Sequence, residues 1–217
     1  ARYFRNDYIT GDNWEGKEIT FLKDIISIIP TYNVWDKEIA HNIVDNDGAS
    51  YKAYPNIGDA KKLTISIQDL TENYLDCDIR VNKIKESSTT DARYTTDNGG
   101  YIAFSNGKIL IGKIDNIKDS IIGIEERICH FQVDPTKASL DYILKVLSTQ
   151  EYVTEQVKCL TKGYTWTDEY LHPEDLLQIG IELPSLKIQQ NEILSDSQKG
   201  YADKVQELEI AFNEFKE

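Results

Sequence analysis

The feature that most constrains this chain is an apolar seam near its C-terminus. With Leu194 placed at a heptad d position, Gln198, Tyr201, Val205, Leu208, Phe212 and Phe215 fall at a, d, a, d, a and d. Seven successive slots hold one polar residue, Gln198, and the positions between them are mostly Lys, Glu, Asp, Gln and Asn. A repeat of 3.5 residues on a helix needs a facing surface. The helix expected over Leu186 to Glu217 is too long to cap one small domain with its whole length, so the pattern favours a partner helix over the chain's own core. Gly200 weakens the helix by about 1 kcal/mol, which makes packing more necessary.

Upstream of Pro184 the pattern is mixed. Leu63-Thr64-Ile65-Ser66-Ile67 alternates as a strand does, and Ile79 to Ile84 nearly does. Tyr101 to Phe104 and Ile109 to Ile114 flank Asn106-Gly107, which predicts a hairpin with a primed two-residue turn. Ile121 to Ile124 and Arg127 to Val133 predict two more strands, with Glu125-Glu126 at the turn between them. The period then switches. Leu140, Ile143, Leu144 and Leu147 predict one helix; Val153, Val157 and Leu160 predict another, closed by Gly163. Pro173-Glu174-Asp175 opens a short helix, and Ile179 to Leu183 a closing strand. Near the N-terminus, Ile19, Leu22, Lys23 and Ile26 predict a short helix running into a strand that Pro30 stops. Residues 31–61 have no sustained period and carry many turn formers together with Tyr32, Trp35, Tyr51 and Tyr54. The expected class is α+β: a mixed twisted sheet with helices over residues 1–184, followed by a long coiled-coil helix over 185–217.

Composition excludes several functions. The 217 residues include 24 Lys+Arg against 37 Asp+Glu, a net charge of −13, so the chain does not coat nucleic acid by bulk charge. Residues 80–118 run against this trend, with seven basic residues (Arg80, Lys83, Lys85, Arg93, Lys108, Lys113, Lys118) against four acidic ones. A phosphate contact is expected there first, against the alternative of ordinary solvated charge on strand edges. Cys77, Cys129 and Cys159 have no short spacing, which argues against a disulfide framework or a cysteine zinc site and fits reduced thiols in a cytoplasmic protein. His41, His130 and His172 are too scattered to suggest a metal. No apolar run approaches the ~20 residues of a membrane span. No phosphate-binding loop, dinucleotide fingerprint or nucleophile elbow occurs, nor does the Asn/Asp-Pro-Pro-aromatic sequence of amino methyltransferases. No enzyme and no cofactor is expected from these residues. The chain has no Met, even at position 1, and is expected to be a processed or excised piece.

The stretch from His172 to Ile193 resembles the signature closing a target recognition domain in the specificity subunit of type I restriction–modification systems. There a helix start leads into an Ile-x-Leu-Pro-x-Leu-x-x-Gln phrase, here Ile181-Glu182-Leu183-Pro184-Ser185-Leu186-Lys187-Ile188-Gln189, and on into a long helix. Leu22-Lys23-Asp24-Ile25-Ile26 is similar to the family's opening helix, and Lys62 to Leu70 to its central strand and turn. Gly107-Lys108-Ile109-Leu110-Ile111 is similar to its Gly-x-Ile-Leu strand. Together these phrases cover about residues 18–217. Lys113-Ile114-Asp115 and Lys162-Gly163-Tyr164-Thr165 depart from the pattern, in loops where targets differ. The resemblance implies a noncatalytic module that reads double-stranded DNA for a separate adenine methyltransferase. With one recognition domain where a complete subunit has two, it also implies a half subunit, a fragment or a fused tail. A second copy could pair through the helix. On this reading the candidate DNA contacts are Lys83, Lys85, Arg93, Lys108, Lys158 and Lys162, with Tyr164 and Trp166 beside them. The partner-helix seam is Leu194, Tyr201, Val205, Leu208, Phe212 and Phe215. The alternatives are a protein–protein adaptor working through the same helix, and a hydrolase with an acidic site that the sequence does not reveal.

Overall fold

A computed structural model describes residues 19–29, 32–33, 43–44, 50–51, 61–80, 93–95, 99–114, 120–125, 127–161 and 170–214. The centre of the fold is the hairpin that Asn106-Gly107 predicts. Strands β8 (Gly99–Ser105) and β9 (Lys108–Ile114) pair antiparallel over their full length. Asn106 and Gly107 both have positive φ, 52° and 76°, as a primed turn requires. β8 is flanked on its other edge by β11 (Cys129–Val133), and β11 by β2 (Ile26–Ile28). A second four-stranded sheet has the order β3 (Tyr32–Asn33), β7 (Arg93–Thr95), β10 (Ser120–Ile124), β6 (Lys61–Ile65). In it β10 and β6 run parallel and the other pairs antiparallel, so the sheet is mixed. β4 (Ile43–Val44) and β5 (Ser50–Tyr51) form a separate short pair.

The first sheet is buried on both faces, which is why β8 reads as an apolar run rather than a strict alternation. Ile102, Phe104, Ile109 and Ile111 join a large cluster with Leu22, Phe131, Ile143, Leu144, Leu147 and Val157. Tyr101, Ala103 and Ile114 point the other way, into a second cluster with Leu63, Ile65, Ile79 and Ile124. Helices α1 (Leu140–Thr149) and α2 (Glu151–Thr161) supply the first cluster from their apolar stripes. Ser139 caps α1 by accepting a hydrogen bond from the Tyr142 amide. The short α3 (Pro173–Leu176) begins on its proline. The packing is close where strands meet: a Cβ on Gly99 would clash with the Phe131 carbonyl oxygen.

Three expectations need correction. The N-terminal segment is not a helix leading into a strand; it is strand β1 (Ile19–Phe21), a single 3-10 turn (Leu22–Asp24) and then β2. β1 is claimed by β12 (Gly180–Glu182), which pairs antiparallel with it, and the ladder continues through the Leu22 and Lys23 amides to Ile179 and Leu177. Such a long-range pairing leaves no periodic trace in a local window. β10 and β11 are strands, but they do not pair with each other; they enter different sheets. The strand expected over 79–84 does not start at Ile79 or Arg80, and its remainder lies outside the described residues, as do the Gly163 cap and most of 31–61.

Two buried glutamines finish the body. Gln156 on α2 donates from Nε2 to the Gly180 carbonyl and accepts from the Gly180 amide, both at 2.9 Å. Its amide thus replaces a neighbouring strand on the free edge of β12. Gln189, with no exposed surface, lies in the first turn of helix α4 (Leu186–Glu214). Its Oε1 accepts from the Ser139 amide at 3.0 Å, and its Nε2 donates to the carbonyls of Pro184 (2.8 Å) and Lys137 (3.2 Å). One side chain therefore ties the start of α4 to the start of α1.

His130 on β11 is 1% exposed and stacks on Tyr101, with ring centroids 4.5 Å apart. Neither ring nitrogen has a hydrogen-bond partner among the described residues. Burial pushes its pKa down from 6.5 to about 4. The folded state therefore resists a proton that the unfolded chain accepts. This protonation penalty is absent above about pH 6.5, and stability falls as pH drops from there towards 4, by up to about 3 kcal/mol. Urea midpoints at pH 7 and pH 4.5 check this: His130→Phe, which keeps the stack, loses less stability between the two than the wild type. Gln189→Leu strands a buried amide and two carbonyls, and is expected to cost about 1–3 kcal/mol in the same denaturation assay at pH 7.

Candidate nucleic-acid interface

The expected DNA contacts do not assemble into a described cationic face. Lys83, Lys85, Lys162, Tyr164 and Trp166 lie outside the described residues. Arg93 opens β7, its backbone registered between Asn33 of β3 and Ile124 of β10; its side chain is not described. Lys108 follows the hairpin turn as the first residue of β9, and Lys158 lies near the end of α2. The two lysines stand on different elements, and each meets a carboxylate. Lys108 Nζ is 2.8 Å from Glu72 Oε1, and Lys158 Nζ is 2.6 Å from Glu155 Oε1. Lys113, from the same basic stretch, is mostly buried between Asp141 (2.7 Å) and Asp78 (3.4 Å) and ties α1 to β9. The positive excess counted in the sequence is therefore largely balanced where the structure describes it. Exposed pairs such as Lys108–Glu72 contribute only about 0–1 kcal/mol.

The apolar seam is laid out differently. Helix α4 runs 29 residues, about 44 Å at 1.5 Å per residue. Its contact with the body follows one stripe: Gln189, Ile193, Asp196, Gly200 and Lys204. Ile193 packs on the larger core cluster. Lys145 of α1 reaches Glu192 at 3.0 Å and Asp196 at 2.7 Å, and the Tyr74 hydroxyl donates to Asp196 at 2.7 Å. Burial alone would lower the Lys145 pKa, but the two carboxylates outweigh it and hold it up. The hydrogen bonds from Lys145 and Tyr74 in turn hold Asp196 below the usual carboxylate range. Lys204 pairs with Asp76 at 2.7 Å. A Cβ on Gly200 would lie 3.0 Å from Leu75 Cδ1, so the glycine sits where the helix passes the 3-10 turn Tyr74–Asp76.

The seam lies roughly a third of a turn away from that stripe. Leu194 is 58% exposed, Tyr201 74%, Val205 38% and Leu208 70%. Phe212 is within α4 but its side chain is not described, and Phe215 lies outside the described residues. The body-facing stripe was missed in the sequence because only Ile193 in it is apolar. Its one trace was Gln189, the last residue of the Ile-x-Leu-Pro-x-Leu-x-x-Gln phrase.

Among the described residues no group of His, Cys, Asp and Glu could hold a metal ion. Cys77 and Cys129 are buried, and burial pushes their thiols up to about 11 and about 12, which leaves them protonated and unreactive. No described helix is long and apolar enough to cross a membrane.

No protein-family model matches the chain, and no curated protein sequence does. Solved structures do match. One is a chain from a type I R-M system studied for its assembly and conformational transition, at 14% identity and a TM-score of 0.46, aligned over 94% of this chain and 41% of that one. Another is the HsdS subunit from Thermoanaerobacter tengcongensis, at 13% identity and a TM-score of 0.45, over 97% and 44%. The chain spans less than half the length of either.

Replacing a seam residue with a charge should not disturb the body. Leu208→Glu is expected to leave the thermal midpoint nearly unchanged, within about 0.5 kcal/mol, while weakening any self-association seen by sedimentation velocity at rising concentration. A large fall in the midpoint of the monomer would place Leu208 in the chain's own core.

Proposed function

We propose that this chain is a noncatalytic, sequence-specific DNA-recognition module that directs a restriction–modification methyltransferase to adenine in its target site. Residues 1–184 form the recognition body and 185–217 a helical spacer, which presents its seam to a partner helix, either a second copy or the helix of another recognition domain. The observation that carries this reading is the position of the Ile-x-Leu-Pro-x-Leu-x-x-Gln phrase. It spans the end of β12 and the start of α4, and its glutamine is the buried tie between body and rod. A phrase resembling the family's signature thus builds the one junction that such a spacer needs.

The physics of selective reading suits an acidic chain. Phosphate contacts set register and base contacts choose sequence. A few side chains at base edges, each worth about 1–3 kcal/mol, suffice for choice. Net negative charge suppresses indiscriminate binding. A second reading, a protein–protein adaptor acting through α4, is favoured by one observation: Lys108 and Lys158 are each matched by a carboxylate of the same chain.

Gel shifts with the methyltransferase partner present, over a pool of random duplexes and a salt series, separate the two. The recognition reading expects retention of a subset of sequences, with affinity falling as salt rises. Equal or absent binding across the pool, with the partner complex intact, would leave the adaptor.

A further inference from the structure

The rod leaves the body at an angle that apolar packing does not fix. Beyond its first turn, the body-facing stripe of α4 buries only part of Ile193; Ile188 and Leu194 beside it are 49% and 58% exposed. Apart from Leu75 against Gly200, the remaining contacts are polar and differ in how far water reaches them. Gln189 is a neutral pin with no exposure. Lys145 is 16% exposed and bridges Glu192 and Asp196, with Tyr74 completing the cluster. Lys204 and Asp76, more than two helical turns beyond Asp196, are 60% and 53% exposed.

From this gradation we infer that Lys145 is a positioning residue. Gln189 sets the pivot of the rod, and the Lys145–Glu192–Asp196–Tyr74 strap sets its tilt, while Lys204–Asp76 is an outer clip that salt can open. A single point of attachment would leave a rigid helix free to swing about it; a second point a turn further along removes that freedom. Gly200 lets the rod lie close enough to Leu75 for the outer clip to reach. The inference deepens the recognition reading, on which this tilt would set the spacing between two halves of a DNA site.

Spin labels at Glu151→Cys on α2 and Gln206→Cys on α4 report the tilt as a distance. Both positions are exposed, and Gln206 lies off the seam. The labels are placed in a Cys159→Ser background of the full chain and diluted into unlabelled protein to remove distances between copies. The wild type is expected to give one narrow distance distribution. Salt at 1 M, where screening acts over about 3 Å, should broaden it slightly by opening the clip. Lys145→Met should broaden it strongly and shift it, with helix content by circular dichroism unchanged, and Lys145→Arg should restore the narrow peak. Asp196→Asn gives the same test if Lys145→Met does not fold. A folded Lys145→Met or Asp196→Asn chain with the wild-type distribution overturns the strap. The distances are read without DNA. A chain that ignores DNA therefore sinks the recognition reading and leaves the strap standing, and an unmoved distance sinks the strap alone.

Discussion

The architecture depends on satisfying buried amide groups where the two ends of the body meet its helix. Among the described residues β12 has a partner strand on one edge only, and the Gln156 side chain serves the other. Two residues after β12, Pro184 ends the extended run. Its carbonyl, the Lys137 carbonyl and the Ser139 amide would all be left unpaired beneath α4 without Gln189. Each unpaired group would cost about 1–3 kcal/mol, a large share of a domain's net stability. The rod therefore grows out of the core instead of trailing from it.

That junction separates the helix into two faces with different fates. The stripe through Gln189, Ile193, Asp196, Gly200 and Lys204 belongs to the body and is mostly polar. The stripe through Leu194, Tyr201, Val205 and Leu208 is apolar and exposed. Had the helix been rotated to bury the apolar stripe, Lys145 would have lost both of its carboxylates and Gln189 would have left Ser139 unpaired. Polar matching on one face thus keeps the apolar face open. The same preference recurs on the body, where lysines at the hairpin and on α2 are matched locally by acids.

Elements with a local cause were legible in the sequence. Asn106-Gly107 fixed its hairpin, because the two residues tolerate the positive φ that the turn needs. The stripes of α1 and α2 announced helices whose apolar faces are buried, and Pro173 marked the start of α3. The long α4 was readable from its seam, although the seam is not the face that holds it. What was not legible was long-range. Ile19, Leu22, Lys23 and Ile26 fall at a spacing that suits a helix, and only the arrival of β12 makes Ile19 to Phe21 a strand. β10 and β11 look like neighbours across a short turn but part to serve two sheets. At the candidate interface, a count of positive charges in 80–118 could not show that Glu72 faces Lys108, or that Asp78 and Asp141 enclose Lys113. Distant carboxylates close those pairs, and composition averages them away.

Helix α4 is fastened to the body at its start and left open along its apolar side. Hydrogen exchange along α4, followed at low and then rising protein concentration, tests it most directly. At low concentration the amides from Gln189 to Asp196 should exchange as slowly as those of α1, and those beyond Lys204 much faster. At higher concentration, or on adding a partner helix, protection should spread through Val205 and Leu208. Uniform slow exchange along the whole helix of the isolated monomer would contradict the account, as would fast exchange at Gln189 to Asp196.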